Sequence, residues 1–225
     1  MASFRRQGLC WTIRCESKAT YAGYNFNCHS ISHVSIFNFV TVGMFKITGR
    51  YKELIIGAGG ENIAPVPIED EIKNQCPLIS NFVMIGDKRK YNVALVTLKA
   101  VGATGVQPGT NALAGEAAAV DPNITTIEQA AAPDSAIVKA IEAAIKATNA
   151  NVEVVPNNAS KIQKFTILPR DLSVDTDELT PTYKLKRGFV DAKYKAAIDA
   201  MYGLDRSDRR SYIPFVRAEE GGAGK

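Results

Sequence analysis

Two β-rich runs, Ile79–Ile85 and Asn92–Leu98, flank the charged stretch Gly86-Asp87-Lys88-Arg89-Lys90. Apolar, β-branched runs of this length around a short polar segment read as an antiparallel hairpin. No other feature of the chain restricts its fold as much. Ile162 to Leu168 reads as a further strand. Asp134 is placed to cap a helix running to about Thr148, in which Ile137, Ile141, Ala144 and Ile145 share one face. Gly188 to Tyr202 reads as a final amphipathic helix carrying Phe189, Tyr194, Ala197, Ile198 and Met201.

Upstream of the hairpin, Phe45 to Thr48 alternates as a strand does, and Glu53 to Ile56 follows as a second. Gly57-Ala58-Gly59-Gly60 is a turn, since glycine takes positive φ at little cost. Ile63 to Pro67 is expected to be extended because two prolines oppose a helix there. A helix should then run from Pro67 to about Gln75, with Glu69 and Asp70 near its N-terminus. Residues 101–133 are rich in Gly, Ala, Pro and Thr, and read as a flexible surface insertion of poor order. Asp171 to Tyr183 reads as a loop, and residues 204–225 as a disordered tail. The expected fold is a small α+β domain over residues 45–203, a short β-hairpin plus a small mixed sheet with three helices.

Composition separates residues 1–44 from the rest. Both histidines, the only tryptophan and three of the four cysteines lie there. The segment is expected to be an unrelated or disordered leader, a targeting peptide or translated non-coding sequence. Its basic, acid-poor start suits an organelle transit peptide, but it lacks a secretory apolar core. Cys10, Cys15, Cys28 and His33 have spacings within the range of a small zinc finger, although residues 29–36 form helix poorly. No metal site is expected elsewhere. Across all 225 residues the net charge is +4, too mild to indicate a nucleic-acid or membrane partner. No apolar run approaches the ~18 residues of a transmembrane helix.

Gly57 to Asn62 does not form G-x-G-x-x-G, because Asn62 stands where the third glycine belongs. Gly102-Ala103-Thr104-Gly105 lacks the Gly-Lys-Ser/Thr of a phosphate cradle. By these motifs the chain holds no self-sufficient nucleotide site. Other residues carry a clearer pattern. Ile47-Thr48-Gly49-Arg50-Tyr51-Lys52-Glu53-Leu54-Ile55-Ile56, Gly59-Gly60-Glu61-Asn62-Ile63 and Pro65-Val66-Pro67-Ile68-Glu69 occur in that order. Asp171-Leu172-Ser173 and Glu178-Leu179-Thr180-Pro181-Thr182-Tyr183-Lys184-Leu185-Lys186-Arg187 follow. Together they resemble the domain-junction and C-terminal lysine motifs of the adenylate-forming enzymes. Within that family they look most like long-chain fatty acyl-CoA synthetases of the bubblegum type. The resemblance spans about residues 45–203, the family's small C-terminal, or lid, domain.

The resemblance implies an AMP-forming ligase that converts a fatty acid, ATP-Mg2+ and coenzyme A to acyl-CoA through an acyl-adenylate. It implies Lys184 as the adenylation lysine, with Lys186 the position to which the assignment could slip. It aligns Arg50 and Arg187 with nucleotide contacts, Lys52 with the hinge, and Gly59, Gly60, Glu61 and Asn62 with the loop lining the pantetheine path. The family's large N-terminal domain, with its phosphate loop and acyl tunnel, has no counterpart here. The isolated chain is therefore expected to fold without turning over. It would act with a separately supplied large domain, or serve as a non-catalytic lid joined to a zinc-binding leader. The expected location is cytoplasmic, including the endoplasmic reticulum surface, with organelle targeting left open.

Overall fold

A computed structural model describes residues 53–203 and 210–216, and before them the backbone of six strands between Arg5 and Arg50. The chain divides into two compact units, Met1–Leu54 and Ile55–Lys225. In the first, β1 (Arg5–Arg6) pairs with β2 (Leu9–Cys10), and β3 (Thr20–Tyr21) with β4 (Tyr24–Asn25). There β5 (Ser35–Val40) pairs antiparallel with β6 (Met44–Arg50). Cys10 thus lies on β2, whereas Cys15, Cys28 and His33 lie outside the described residues. So do Lys52 and the two ends of the expected tail, 204–209 and 217–225.

The second unit is built on a three-stranded mixed sheet. β9 (Ile79–Ile85) and β10 (Asn92–Leu98) form the antiparallel hairpin, and β11 (Ile162–Ile167) joins β10 in parallel. All seven residues of β10 are buried, as a central strand covered on both faces requires. Phe82, Met84, Ala94 and Val96 point into one apolar cluster with α1 (Pro65–Gln75) and α4 (Ala136–Ala150). Val83, Val93 and Leu95 point into a second, with α5 (Arg187–Lys193) and α6 (Lys195–Gly203). A short hairpin of β7 (Ile55–Ile56) and β8 (Asn62–Ile63) precedes α1. This is the expected α+β architecture with its small mixed sheet. Among the described residues, no helix is long and apolar enough to cross a membrane.

Several elements differ from expectation. α1 begins at Pro65, with Pro67 also inside its first turn. The first-turn N–H groups have no intrahelical acceptor, so two prolines there forfeit nothing. Ser135, not Asp134, caps α4: its hydroxyl accepts from the Val138 N–H at 3.0 Å. The single expected final helix is two, broken at Tyr194.

The segment 101–133 is a surface segment, as expected, but it has regular structure and anchors Leu113, Ala117, Ile127 and Ala130 in the core. Backbone bridges Ala100↔Leu113 and Ala103↔Pro108 make a finger continuing from β10. α2 (Glu116–Ala119) and α3 (Ile127–Ala130) bury Ala117, Ile127 and Ala130. Alanines contribute little area each, so composition alone understates such packing. Downstream of α6, Phe165 donates its N–H to the Ser211 carbonyl, and Ile213 donates to the Phe165 carbonyl. The Tyr212 hydroxyl reaches the Ala131 carbonyl at 2.6 Å. Residues 210–216 thereby cover the free edge of β11.

Candidate functional site

The lysine motif sits on a loop fastened at both ends. At its start, the buried Asp171 carboxylate accepts from Ser80 Oγ at 2.5 Å, Asn81 Nδ2 at 2.8 Å and Thr97 Oγ1 at 2.6 Å. These donors come from β9 and β10, so the loop leaves the sheet at a fixed point. Further on, Glu178 is fully buried. Its Oε2 accepts from the Ser173 N–H at 3.1 Å and Thr176 Oγ1 at 2.6 Å. Its Oε1 accepts from Lys193 Nζ at 2.8 Å and the Tyr194 hydroxyl at 2.5 Å. Burial pushes the Glu178 carboxyl up, but these donors outweigh it and hold the group below the usual carboxylate range. Desolvation, then the carboxylate beside it, raises the Tyr194 phenol far above its ordinary value.

From this anchor the chain makes a tight turn. Leu179 bridges Leu185. Thr180 donates to the Lys184 carbonyl at 2.8 Å, and Tyr183 donates back to the Thr180 carbonyl at 2.8 Å. Pro181 occupies the second position of that turn, where its fixed φ fits. The Thr180 hydroxyl accepts from the Lys184 N–H at 3.0 Å. Tyr183 holds φ at 57°, and its ring lies over Gly105 of the finger. A Cβ at Gly105 would come within 2.8 Å of that ring.

The three cations of the motif differ in what they touch. Lys186 Nζ pairs with Asp177 at 3.1 Å. Arg187 makes a two-point clasp on Glu69, Nη1 to Oε1 at 2.8 Å and Nη2 to Oε2 at 2.6 Å, and donates to the Met84 carbonyl. Glu69 also accepts from the Met84 N–H at 2.8 Å. Glu69 therefore serves Arg187 and β9 rather than the helix N-terminus anticipated for it. Lys184 is exposed, and among the described residues its ammonium has no partner.

The glycine loop lies against the β9–β10 turn. Ala58 donates to the Arg89 carbonyl at 3.0 Å, and Lys88 donates to the Ile56 carbonyl at 2.7 Å. Gly59, Gly60, Glu61 and Asn62 are exposed, and Gly60 takes φ 85°, which favours glycine. Among the described residues no hydrogen bond or ion pair joins this loop to the lysine turn. Arg50 is the last residue of β6, paired in backbone register with Ser35. Motif reasoning gave Glu178 no role and took up Gly105 only to exclude a phosphate cradle. Glu178 stood inside the quoted lysine motif, but only the fold shows what converges on it.

Residues 52–129 match the family model of the AMP-binding enzyme C-terminal domain. This stretch, about a third of the chain, is similar to the C-terminal domain of the AMP-binding enzymes. A long-chain-fatty-acid–CoA ligase of Gallus gallus is 45% identical over 166 residues, which is 71% of this chain and 21% of the relative. A second long-chain-fatty-acid–CoA ligase, of Bos taurus, is 41% identical over 177 residues, 76% of this chain and 24% of the relative. The chain thus spans about a fifth of the length of the curated relatives it matches. Among solved structures, the A domain of carboxylic acid reductase from Segniliparus rugosus, in complex with AMP and a co-purified carboxylic acid, matches with a TM-score of 0.52. It is 18% identical and covers 73% of this chain and 22% of its own. The adenylation domain of a Mycobacterium chelonae carboxylate reductase matches with a TM-score of 0.52 at 19% identity, covering 72% of this chain and 21% of its own. At these identities the likeness is one of fold.

Proposed function

We propose that this domain supplies Lys184 to the adenylation step of a long-chain fatty acid–CoA ligase, working against a large domain that holds ATP-Mg2+ and the fatty acid. One observation carries the assignment within the motif. Of Lys184, Lys186 and Arg187, only Lys184 has an uncommitted charge among the described residues. Its turn is pinned by the Glu178 anchor and by three hydrogen bonds of its own. A compact cation held on a stiff turn can meet the negative charge that develops as a fatty carboxylate attacks the α-phosphate. Pyrophosphate leaves and an acyl-adenylate forms. In the second step the thiol of coenzyme A displaces AMP, and the small, exposed Gly59–Asn62 loop lines the pantetheine arm.

In this reading Arg187, clasped to Glu69, seats the motif on the fold. Arg50 and Lys52 keep the nucleotide-contact and hinge roles that the family resemblance implies. The compartment that goes with the activity is the cytoplasm or the endoplasmic reticulum surface.

The test is ATP–pyrophosphate exchange with palmitate, using the full chain fused behind the large domain of the Gallus gallus ligase. Lys184→Ala should lower exchange about 10²–10³-fold, the range for losing one charge-stabilising group. Lys186→Ala should change it less than about threefold, as expected for a surface pair. Exchange that survives Lys184→Ala, or an inactive parent fusion, would overturn the proposal.

A further inference from the structure

We infer that the finger formed by residues 100–113 is a brace for the lysine turn, and that Tyr183 is the positioning residue through which it acts on Lys184. This deepens the adenylation reading and rests on it for the role of Lys184. Two backbone hydrogen bonds fix the fingertip to the lysine loop: Val174 donates to the Gly105 carbonyl at 2.9 Å, and Asp175 donates to the Val106 carbonyl at 3.0 Å. The finger is stiff in its own right. Val101 donates to Ala112 and Thr110 to Val101, each at 2.9 Å, and Thr104 donates to Gln107 at 3.2 Å. Gly109 takes φ 76°, and a Cβ there would lie 2.7 Å from the Ala103 nitrogen, so the hairpin closes only on glycine.

The fingertip meets the turn at one side chain. Gly105, at φ 79°, presents its bare Cα to the Tyr183 ring. Tyr183 itself sits at φ 57°, a left-handed conformation that disfavours a bulky residue and persists where the surroundings enforce it. Its amide closes the turn on Thr180, and the next residue is Lys184. Seating the ring on Gly105 therefore fixes the backbone from which the Lys184 side chain departs. Glu178 holds the base of the turn and the finger holds its tip.

Two measurements decide this. In the full chain, amide hydrogen exchange should show protection at Val174, Asp175, Tyr183 and Lys184. Tyr183→Ala should lower protection at Tyr183 and Lys184 about tenfold and leave β10 unchanged, while Tyr183→Phe retains it. Unchanged protection in Tyr183→Ala would overturn the brace.

In the fusion with the large domain, Tyr183→Ala should slow palmitate-dependent pyrophosphate exchange about tenfold. Acyl-CoA formation from preformed palmitoyl-adenylate should stay within about twofold. Tyr183→Phe should restore exchange. Equal loss in both half-reactions, or no loss in either, would overturn the positioning role. Should Lys184→Ala leave exchange intact, the catalytic reading falls while amide exchange still decides the brace.

Discussion

Replacing Glu178 by Gln tests the anchor beneath the lysine turn. The carboxylate is fully buried and receives two donors on each oxygen. An amide presents N–H on one side, where two donors already point. Thr176 and Tyr194 can rotate their hydroxyls to accept, but the Ser173 N–H cannot, and if stranded it costs about 1–3 kcal/mol. The Lys193 ammonium also loses its counter-ion; at 34% side-chain exposure it regains water and forfeits only about 1 kcal/mol. The sum is about 3 kcal/mol, or a fall of roughly 10 °C in thermal midpoint at this size.

The sign of the pH dependence follows from the lowered carboxyl. A group with a depressed folded pKa contributes stability that is complete above its ordinary value, 4.5, and is lost as pH falls through the lower folded value. The gap between wild type and Glu178→Gln, read by thermal circular dichroism, should therefore be full at pH 7 and narrow towards pH 3. A midpoint shift below about 2 °C at pH 7, or a gap that widens on acidification, would refute the reasoning.

Two further outcomes are expected. Ser135→Ala should destabilise the chain by about 1 kcal/mol in urea unfolding, the usual worth of an N-cap, whereas Asp134→Ala should have almost no effect. Cys76 is buried, and its thiol is pushed up to about 11 mainly by desolvation. It should react with iodoacetamide at pH 8 far more slowly in the native chain than in urea, since the thiolate is the nucleophile; equal rates would contradict the burial.

Much of the site was legible in the linear order of residues. The pattern Glu178 to Arg187 marked the lysine turn, and Pro181 within it has a turn mechanism that needs no tertiary partner. The β9–β10 hairpin and the apolar stripe of α4 follow from periodicities of two and 3.6, which the backbone imposes on any sequence. What periodicity cannot carry is which polar groups meet. Arg187 finds Glu69 across 118 positions, a contact that nothing in the motif itself announces.

The segment 101–133 shows the same division. Its many small residues promised no core by themselves, yet Leu113, Ala117, Ile127 and Ala130 join the buried cluster that α1, α4 and the sheet also line. α6 starts afresh after Tyr194, whose hydroxyl is held by Glu178, although the helical pattern runs on through it. Local sequence determined the β9–β10 hairpin, the apolar stripe of α4 and the lysine turn, because their signals repeat within a few residues. Tertiary structure decided which cations of the motif are paired and where the last helix is interrupted, because those depend on hydrogen-bond partners far apart along the chain.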